Sequence, residues 1–426
     1  MGFLSNGRLI VGYDLGDDFA QISYSLGKDE EAETLSGQTG AQTYNIPALL
    51  CKRTGVNQWY YGQEALKYAQ ENQGVPVRNL LSLACDGEKV VIEGQEFDPV
   101  ALLALFMKRS LSVLAQVAPP DKIYALMITC EQIDEKVIRV LEDAIAGLRL
   151  KAEHISFQSH VESFYNYMLR QPEGLWNYRS ILCDYRGDCI RAYTMELNRK
   201  TTPVVAFIGK EEIPFENFEN LPEAEALRSE KLKCMDQEFK ELAERLCRGS
   251  IVSSVYLIGE SFREEWLHES LRFLCAGRRV FQGSNLFSKG ACYAMQEKLA
   301  PGEIGQKYVF LGDEKLKSNV GMHVQKQGRE TYLALLDAGV NWYEARQEVS
   351  LYLQDGKELE LLITSLVGGG SRTVQIVLED FPEGLSRINA RFSMAAEKRL
   401  VVEIQNLGLG AFRAGNDHVQ RTEIEL

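Results

Sequence analysis

Two apolar, strand-like segments of this chain each end in an aspartate that a glycine follows closely. Asp14 and Gly16 end the first segment, and Asp184 and Gly187 end the second. A carboxylate at the carboxyl end of a strand can hold Mg²⁺, generally through water, and a glycine turn lets backbone N–H groups approach phosphate oxygens. The pair therefore indicates a site for a metal-bound phosphate, with two ordinary strand-to-turn transitions as the alternative.

A third segment, residues 255–263, is an apolar strand followed by a tight turn and the start of a helix. Gly259 in the turn would allow the close approach of a nucleoside. Arg263 could stack on a base through its planar guanidinium, or it could be a solvated residue in the first turn of the helix. Together the three segments favour a nucleotide more than each does alone.

The elements that must position these residues alternate between strand-like and helix-like patterns over the first 300 residues, which predicts an α/β architecture. Residues 123–129 are nearly all apolar, as expected of a central strand covered on both faces. The strand candidates are 8–13, 19–25, 57–61, 123–129, 153–157, 179–184, 189–196, 202–208 and 254–258. Amphipathic spacing predicts helices over 99–114, 135–148, 223–247, 263–275 and 288–298.

After residue 300 the pattern changes to short segments in which apolar and polar residues alternate. The segments are 347–353, 373–378, 387–393 and 399–405. Alternation with a period of two, interrupted by turn formers, predicts an all-β sandwich of antiparallel strands. We therefore predict two domains, 1–300 and 301–426, with a reduced upper subdomain at about 198–253 in the first.

Residues 368–371, Gly-Gly-Gly-Ser, are most simply a flexible hairpin loop of the β-domain. The alternative, a loop that cradles phosphate, is disfavoured because no helix follows to supply an N-terminal dipole. Loops over the edge of a sandwich can also line a peptide groove, in which strand addition gives affinity and side-chain pockets give selectivity.

Composition and charge exclude several classes of function. The 426-residue chain has a net charge of −13 and a pI near 5.1, which argues against a nucleic-acid or anionic-membrane surface. No apolar run approaches the roughly 20 residues of a membrane span, and no secretory signal pattern begins the chain. The nine scattered cysteines, without a Cys-x-x-Cys pair, indicate reduced thiols in a cytoplasmic protein rather than a zinc site.

Further motifs follow one another along the chain in a recognisable order. Residues 11–16 and 184–187 are two candidate phosphate motifs, and residues 258–263 are a candidate adenosine motif. The other matching segments are 45–50, 59–65, 125–129, 146–148, 285–295, 332–336 and 373–405. The series resembles the seventy-kilodalton heat-shock chaperones of the actin-like ATPase superfamily over nearly the whole chain. The resemblance implies a two-lobed, ribonuclease H-like ATPase domain followed by a β-sandwich substrate domain, with the family's helical lid absent.

The resemblance also implies roles for individual residues. Asp14 and Asp184 match the metal-associated aspartates of the family, and Arg78 falls where the family carries a catalytic lysine. A guanidinium does not directly replace an ammonium group at a reacting phosphate. The positions that match residues contacting ATP or ADP with Mg²⁺ are Gly12, Asp14, Gly16, Asp184, Gly187, Gly259 and Arg263.

The candidate motifs depart from the family pattern at several positions. Asp17 and Asp18 replace two threonines that meet phosphate, and unit charges ~4 Å apart in a desolvated site would repel a triphosphate by several kcal/mol. The second loop, 185–189, lacks two glycines and a threonine, and Glu260 replaces a glycine of the adenosine motif. Further departures are Phe287 near an expected acidic position and Ser159 with His160 near an expected glutamate.

These departures leave two interpretations of the cleft open. Arg186 could pair with Asp17 or Asp18 and fill the phosphate site with an internal salt bridge. Alternatively, Asp17, Asp18 and Asp188 could gather metal ions. In either case we expect ATP hydrolysis to be absent or very slow.

The sequence thus predicts a heat-shock-70-like protein that binds a protein segment through its β-sandwich, with weak or vestigial ATP binding. A non-catalytic actin-like scaffold that assembles a protein complex is the main alternative. A sugar- or acid-kinase relative is a further alternative that leaves the sandwich unexplained. The expected partner is a protein or peptide segment, and neither nucleic acid nor membrane is expected.

Overall fold

In a computed structural model the chain divides into two units, Met1–Phe310 and Leu311–Leu426. The sequence prediction places this boundary at residue 300. The first unit extends to Phe310 because the strand Tyr308–Phe310 pairs in parallel with the strand that begins at Val204. The structure describes residues 8–27, 30–36, 43–263, 266–353, 358–366, 370–379, 384–409, 415 and 419–426. Residues 368 and 369 of the predicted glycine loop lie outside this set.

The first half of the first unit, as named here, comprises residues 9–169. Its strands are β1 Leu9–Leu15, β2 Phe19–Ser25, β3 Glu33–Thr34, β4 Ile46–Pro47, β5 Leu50–Arg53, β6 Trp59–Tyr61, β7 Gly74–Val77, β8 Val90–Ile92, β9 Gln95–Phe97, β10 Ile123–Cys130 and β11 His154–Ser159. Its helices are α1 Gly62–Gln70, α2 Leu80–Asp86, α3 Pro99–Leu111, α4 Glu135–Leu148 and α5 His160–Leu169.

The main sheet of the first half has the strand order β3–β2–β1–β10–β11. β1 runs antiparallel to β2 and parallel to β10, and β10 runs parallel to β11. All seven residues of β1 are buried, and β10 is buried at all positions but one. The prediction of a central strand at 123–129 is therefore confirmed.

The second half of the first unit comprises residues 179–283, and a short C-terminal stretch closes the unit. The strands are β12 Arg179–Arg186, β13 Cys189–Asn198, β14 Val204–Pro214, β15 Val252–Ile258, β16 Arg279–Gly283 and β17 Tyr308–Phe310. The helices are α6 Glu225–Cys247, α7 Glu269–Leu274, α8 Leu286–Leu299 and α9 Glu303–Lys307. Only α6 and a short 3₁₀ turn lie between β14 and β15, in the segment predicted to hold a reduced subdomain.

The sheet of the second half repeats the strand order of the first. Its order is β14–β13–β12–β15–β16, with β17 added beside β14. β12 is antiparallel to β13 and parallel to β15, as β1 is to β2 and β10. Asp14 and Asp184 therefore lie on the corresponding central strands, and each pairs with a strand on both sides.

One predicted helix of the first unit is largely wrong. The helix expected over 263–275 is a 3₁₀ turn at Glu260–Arg263 followed by the short helix α7. Asp236 of α6 caps that short helix, since its buried carboxylate accepts hydrogen bonds from the backbone N–H groups of residues 268, 269 and 270. A cap supplied from another helix is not visible in the local sequence pattern.

The second unit contains two antiparallel sheets. Its strands are β18 Ser318–Lys326, β19 Arg329–Leu336, β20 Arg346–Leu353, β21 Glu358–Ser365, β22 Ser371–Val377, β23 Ser386–Ala396, β24 Arg399–Asn406 and β25 Val419–Glu425. Within the described residues the sheet orders are β19–β18–β21–β22 and β20–β23–β24–β25. Buried residues alternate with exposed ones along β21 and β23, so each sheet has one face in a core. With the first unit, this confirms the mixed α/β class.

One helical stretch, Pro99–Gln116, is apolar and long enough to cross a membrane by composition, with a mean hydropathy of 1.2. The sequence pattern predicts an amphipathic helix over 99–114 at this place and no membrane span. Half of its residues are buried inside the protein, and a buried core helix passes the same test of length and composition. Leu103, Phe106 and Met107 are among its fully buried side chains.

Candidate functional site

Asp14, near the end of β1, is buried and accepts a hydrogen bond from a histidine. The distance from His160 Nε2 to Asp14 Oδ1 is 2.7 Å, and each side chain is only 2 % exposed. His160 is the first residue of α5, and Ser159 caps that helix by accepting a hydrogen bond from the N–H of Glu162. Because an ionised carboxylate only accepts, the Nε2 atom donates the proton of this bond.

The His160 ring is packed against an aromatic residue. It stacks on Phe287 with ring centroids 3.9 Å apart and an interplanar angle of 8°. Its Nδ1 atom has no hydrogen-bond partner among the described residues. The stack and the bond to Asp14 together fix the orientation of the imidazole.

Asp184, near the end of β12, is paired with an arginine from its own strand. Arg186 Nε lies 3.0 Å from one carboxylate oxygen of Asp184 and 2.9 Å from the other. The guanidinium carbon of Arg186 also lies 4.6 Å from the ring centroid of Phe19 and 5.9 Å from that of Phe287. Asp184 is 1 % exposed, so the arginine supplies the counter-charge of a buried carboxylate.

The two aspartates share one electrostatic environment. Burial alone would lower the pKa of Arg186, but the charges of Asp184 and then Asp14 raise it above its ordinary value. Phe287 contacts both the His160 ring and the Arg186 guanidinium. The structure therefore brings Asp14 and Asp184, both predicted from the sequence, into one cluster with residues that fill the space around them.

Asp17 faces a helix of its own half rather than Arg186. Its carboxylate accepts hydrogen bonds from the backbone N–H groups of Leu81 and Ser82, at 3.0 and 3.1 Å, and from the Ser82 hydroxyl. These are the free donors at the start of α2. Asp18 is exposed. The expectation that Arg186 pairs with Asp17 or Asp18 is wrong, because its partner is Asp184.

Two of the predicted glycines allow close packing inside the protein. A Cβ atom on Gly12 would lie 2.1 Å from the carbonyl oxygen of Ser288, so glycine lets α8 approach β1. Gly259 has φ +110°, and a Cβ atom there would lie 2.2 Å from the carbonyl oxygen of Tyr185. Both positions require glycine for reasons that do not involve a ligand.

The other two predicted glycines lie in the turns after β1 and β12. Gly187 has φ +58° and is the first residue of the two-residue turn between β12 and β13, where a positive φ favours glycine. A Cβ atom on Gly16 would lie 3.4 Å from the carbonyl oxygen of Phe19 and 3.9 Å from an Arg186 nitrogen. The Arg186 guanidinium thus occupies the space beside the first predicted phosphate loop.

The two predicted arginines lie outside this cluster as far as the structure describes them. Arg78 is exposed, in the link between β7 and α2. Arg263 ends the 3₁₀ turn after β15, and its side chain lies outside the described set. Glu260, in the same turn, accepts a hydrogen bond at 2.8 Å from the side chain of Asn45.

A second charged cluster, which the sequence analysis missed, joins the two halves. Glu131 follows β10, and one of its carboxylate oxygens lies 2.5 Å from Arg191 Nε and 3.0 Å from Lys210 Nζ. Burial alone would raise the pKa of Glu131, but Arg191 and Lys210 lower it below its ordinary value. Arg191 lies in the predicted strand 189–196, but Lys210 lies beyond the predicted strand 202–208, and neither residue indicates a partner in the first half.

As arranged, these residues do not fit a magnesium-bound triphosphate. The carboxylates of Asp14 and Asp184 are already engaged by His160 and Arg186, and the guanidinium lies beside the Gly16 loop. Within the part of the chain that the structure describes, three or more His, Cys, Asp or Glu side chains do not converge as metal ligands. Binding of ATP or ADP with Mg²⁺ stays a prediction from the resemblance.

Comparisons with known proteins give a family but no activity. No curated protein matches the chain. Residues 315–426 match a domain of unknown function, DUF8552, which covers nearly all of the second unit. Residues 31–313 match the C-terminal model of a family of unknown function, DUF5716, and this match covers more than half of the chain. The chain therefore belongs to the DUF5716 family.

Proposed function

We propose that this chain is a heat-shock-70-like member of the actin-like superfamily with a vestigial nucleotide site. We further propose that its second unit, called the β-unit from here on, binds a protein segment. The observation that carries the proposal is the repeated strand order of the first unit, with Asp14 and Asp184 on corresponding central strands. Two sheets of the same order in one unit agree with the two-lobed domain that the motif series implies. The net charge of −13 agrees with a cytoplasmic protein partner rather than nucleic acid.

The vestigial state of the site is supported by the internal partners of the two aspartates. A nucleotide with Mg²⁺ would first have to break the close pair that Arg186 makes with the buried Asp184 carboxylate. It would also have to enter the space beside Gly16 that the guanidinium occupies. Both changes oppose binding, so we infer that affinity for ATP is weak or absent.

Binding of a protein segment is supported by an open sheet edge in the second unit. Within the described residues β20 pairs only with β23, and its Tyr352 is 64 % exposed. The edge strands β22 and β25 of the two sheets are linked to each other. Gln420 of β25 donates a hydrogen bond to the carbonyl of Val377 in β22 and accepts one from the N–H of Glu379. An edge strand with free backbone groups and an exposed aromatic side chain can accept an extended peptide by strand addition.

A non-catalytic scaffold is the second candidate, and the Glu131 cluster favours it. Glu131 ties the first half of the unit to Arg191 and Lys210 of the second half without a ligand. A unit held in one shape suits the assembly of a complex better than a cycle of opening and closing. The two candidates differ in whether the β-unit binds many unfolded segments or one partner.

Thermal unfolding of the full chain with and without millimolar Mg-ATP tests the vestigial site. A ligand at 100 times its Kd adds about 2.7 kcal/mol of stability, so a functional site would raise the Tm by several degrees. We expect no change beyond that produced by Mg²⁺ alone. A shift of several degrees that requires ATP would show a working nucleotide site and overturn this part of the proposal.

Binding of a fluorescent, permanently unfolded peptide to the full chain, followed by anisotropy, tests the β-unit. We expect micromolar binding that Tyr352→Lys weakens about tenfold, since a charge at an open edge opposes strand addition. Val377→Lys is the matched control, because Val377 is a similarly exposed residue on the linked edge. Absence of binding by the natural chain would leave the scaffold, and equal loss in both variants would refute the β20 edge.

A further inference from the structure

We propose that side chains of this chain lock the two halves of the first unit together, so that closure needs no ligand. The inference concerns contacts between residues 9–169 and residues 179–283, and it holds whatever the β-unit binds. Three separate contacts between the halves carry it: one around Arg186, one around Glu131 and one around Asn45. We call them together the interhalf clamp.

The Arg186 contact reaches from the second half onto the first. Arg186 ends β12, yet its guanidinium lies over the ring of Phe19 in β2 and beside the loop that contains Gly16. The same group compensates Asp184 in its own half and feels the charge of Asp14 in the other half. A cation in this position attracts both buried carboxylates at once.

The Glu131 contact runs in the opposite direction. Glu131 projects from the first half, and its carboxylate receives Arg191 from β13 and Lys210 from β14. Lys210 also lies 3.0 Å from Glu212, so two cations and two carboxylates form one network. Since the side chains of Arg191 and Lys210 are only 20 % and 19 % exposed, water screens these pairs less than a surface ion pair.

The Asn45 contact consists of one hydrogen bond to a carboxylate and two hydrogen bonds between neutral groups. Asn45 donates to Glu260 at 2.8 Å, so the residue that replaces a glycine of the predicted adenosine motif is used to bond the other half. Gln21 of β2 donates at 2.5 Å to Asn45, and at 2.7 Å to the carbonyl of Ser284, which directly follows the second half. The chain thus connects its halves at the points where the resemblance would place the ligand.

The clamp explains why the motif residues are replaced by larger and charged ones. Arg186 and Glu260 each stand in a candidate motif, and each makes a contact with the first half. Replacement of small motif residues by side chains that bridge the halves substitutes internal contacts for those a bound ligand would make. The two halves then stay closed in one state, and no ligand is needed to shift an equilibrium between open and closed forms.

Hydrogen exchange of the full chain, measured by mass spectrometry without nucleotide, tests the clamp. In the natural chain we expect slow exchange in the facing segments 12–24, 128–133 and 183–193. Glu131→Gln keeps the side-chain shape but removes the charge, and it should speed exchange in both halves about threefold, the change expected for losing one partly screened ion pair. Glu211→Gln is the matched control, because its partner Arg245 belongs to the same half.

Arg186→Lys provides a second variant that keeps a cation beside Asp184 but shortens its reach to Phe19. It should also speed exchange in both halves, and circular dichroism should show that each variant stays folded. Fast exchange in the natural chain, or a change restricted to the half that carries the substitution, would overturn the proposal. Addition of Mg-ATP should leave the exchange of the natural chain unchanged, and protection of these segments by Mg-ATP would equally overturn it.

Discussion

Each half of the first unit carries an aspartate on the corresponding central strand of its sheet, yet the two carboxylates have different hydrogen-bond partners. Asp14 bonds a histidine 146 positions away in the chain, at the start of a helix. Asp184 bonds an arginine only two positions away on its own strand. An imidazole can donate a hydrogen bond with or without a charge, whereas a guanidinium always carries one. Equivalent backbone positions thus have unequal electrostatic roles.

This difference makes the two halves electrostatically unequal although their central strands correspond. In the second half, Arg186 places a permanent positive charge close to Asp184, and that charge acts on both aspartates. In the first half, His160 stacks on Phe287 of α8, and this stack fills space and holds a donor in position. One half therefore contributes charge to the cluster, and the other contributes packing.

The largest test of this comparison is Arg186→Gln. The buried Asp184 would lose its counter-charge, so the free energy of unfolding of the first unit should fall by about 3–5 kcal/mol in urea denaturation. Arg245→Gln serves as a control, because its surface pair with Glu211 should contribute less than about 1 kcal/mol. Adding Asp184→Asn to Arg186→Gln should restore part of the loss. A loss below about 1 kcal/mol for Arg186→Gln would show that Asp184 does not depend on that charge.

The matching substitution in the first half is His160→Gln. The amide can still donate to Asp14, and the main loss is the ring stack on Phe287, so we expect a decrease of about 1–2 kcal/mol in the same denaturation experiment. The comparison holds if this decrease is clearly smaller than that of Arg186→Gln. Equal decreases would mean that Asp14 also needs a cation, and the two sites would then be electrostatically alike.

Asp17 and Asp18, which follow β1 in the first half, provide a further test of the comparison. Asp17→Ala removes the acceptor at the start of α2 and should cost about 1 kcal/mol of unfolding free energy. The exposed Asp18→Ala should change it by less than about 0.5 kcal/mol. Replacing both aspartates with threonine should not create ATP binding in a thermal shift assay, because Asp17 faces α2. A gain of several degrees with Mg-ATP would show that these carboxylates, rather than Arg186, close the site.

Much of the fold was predictable because it depends on local patterns. The buried apolar strands β1, β10, β12 and β15 and the amphipathic helices α4 and α6 each carry their own periodic signal. The prediction failed at 263–275, where Asp236 from a distant helix decides where α7 begins. It also missed short edge strands such as Arg279–Gly283, which have few residues and mostly exposed side chains.

The positions of the candidate-site residues could be predicted from the sequence, but most of their side-chain partners could not. Asp14 and Asp184 were identified because strand ends have a recognisable pattern, and Arg186 because it stands beside Asp184. The partner of Asp14, His160, lies in another element, and Glu131 meets Arg191 only after the two halves pack. Side-chain pairs across such distances leave no signal in one sequence.

The smallest expected effect concerns pH and the Glu131 contact between the halves. Because Arg191 and Lys210 lower the pKa of Glu131 in the folded chain, its ionised form stabilises the fold fully above the ordinary value of 4.5. This contribution is lost as the pH falls through the lowered folded-state pKa. Glu131 is 35 % exposed, so solvent screening should keep its contribution at neutral pH below about 1 kcal/mol.

Thermal unfolding of the natural chain and of Glu131→Gln between about pH 3 and pH 7 measures this contribution. The natural chain should be the more stable of the two at neutral pH, and the two curves should converge as the pH falls below 4.5, since protonated Glu131 resembles the glutamine. Glu211→Gln controls for the loss of any surface carboxylate within one half. Parallel curves for the natural chain and Glu131→Gln would mean that the contact between the halves does not depend on this ionisation, which would leave Arg186 as its main charged support.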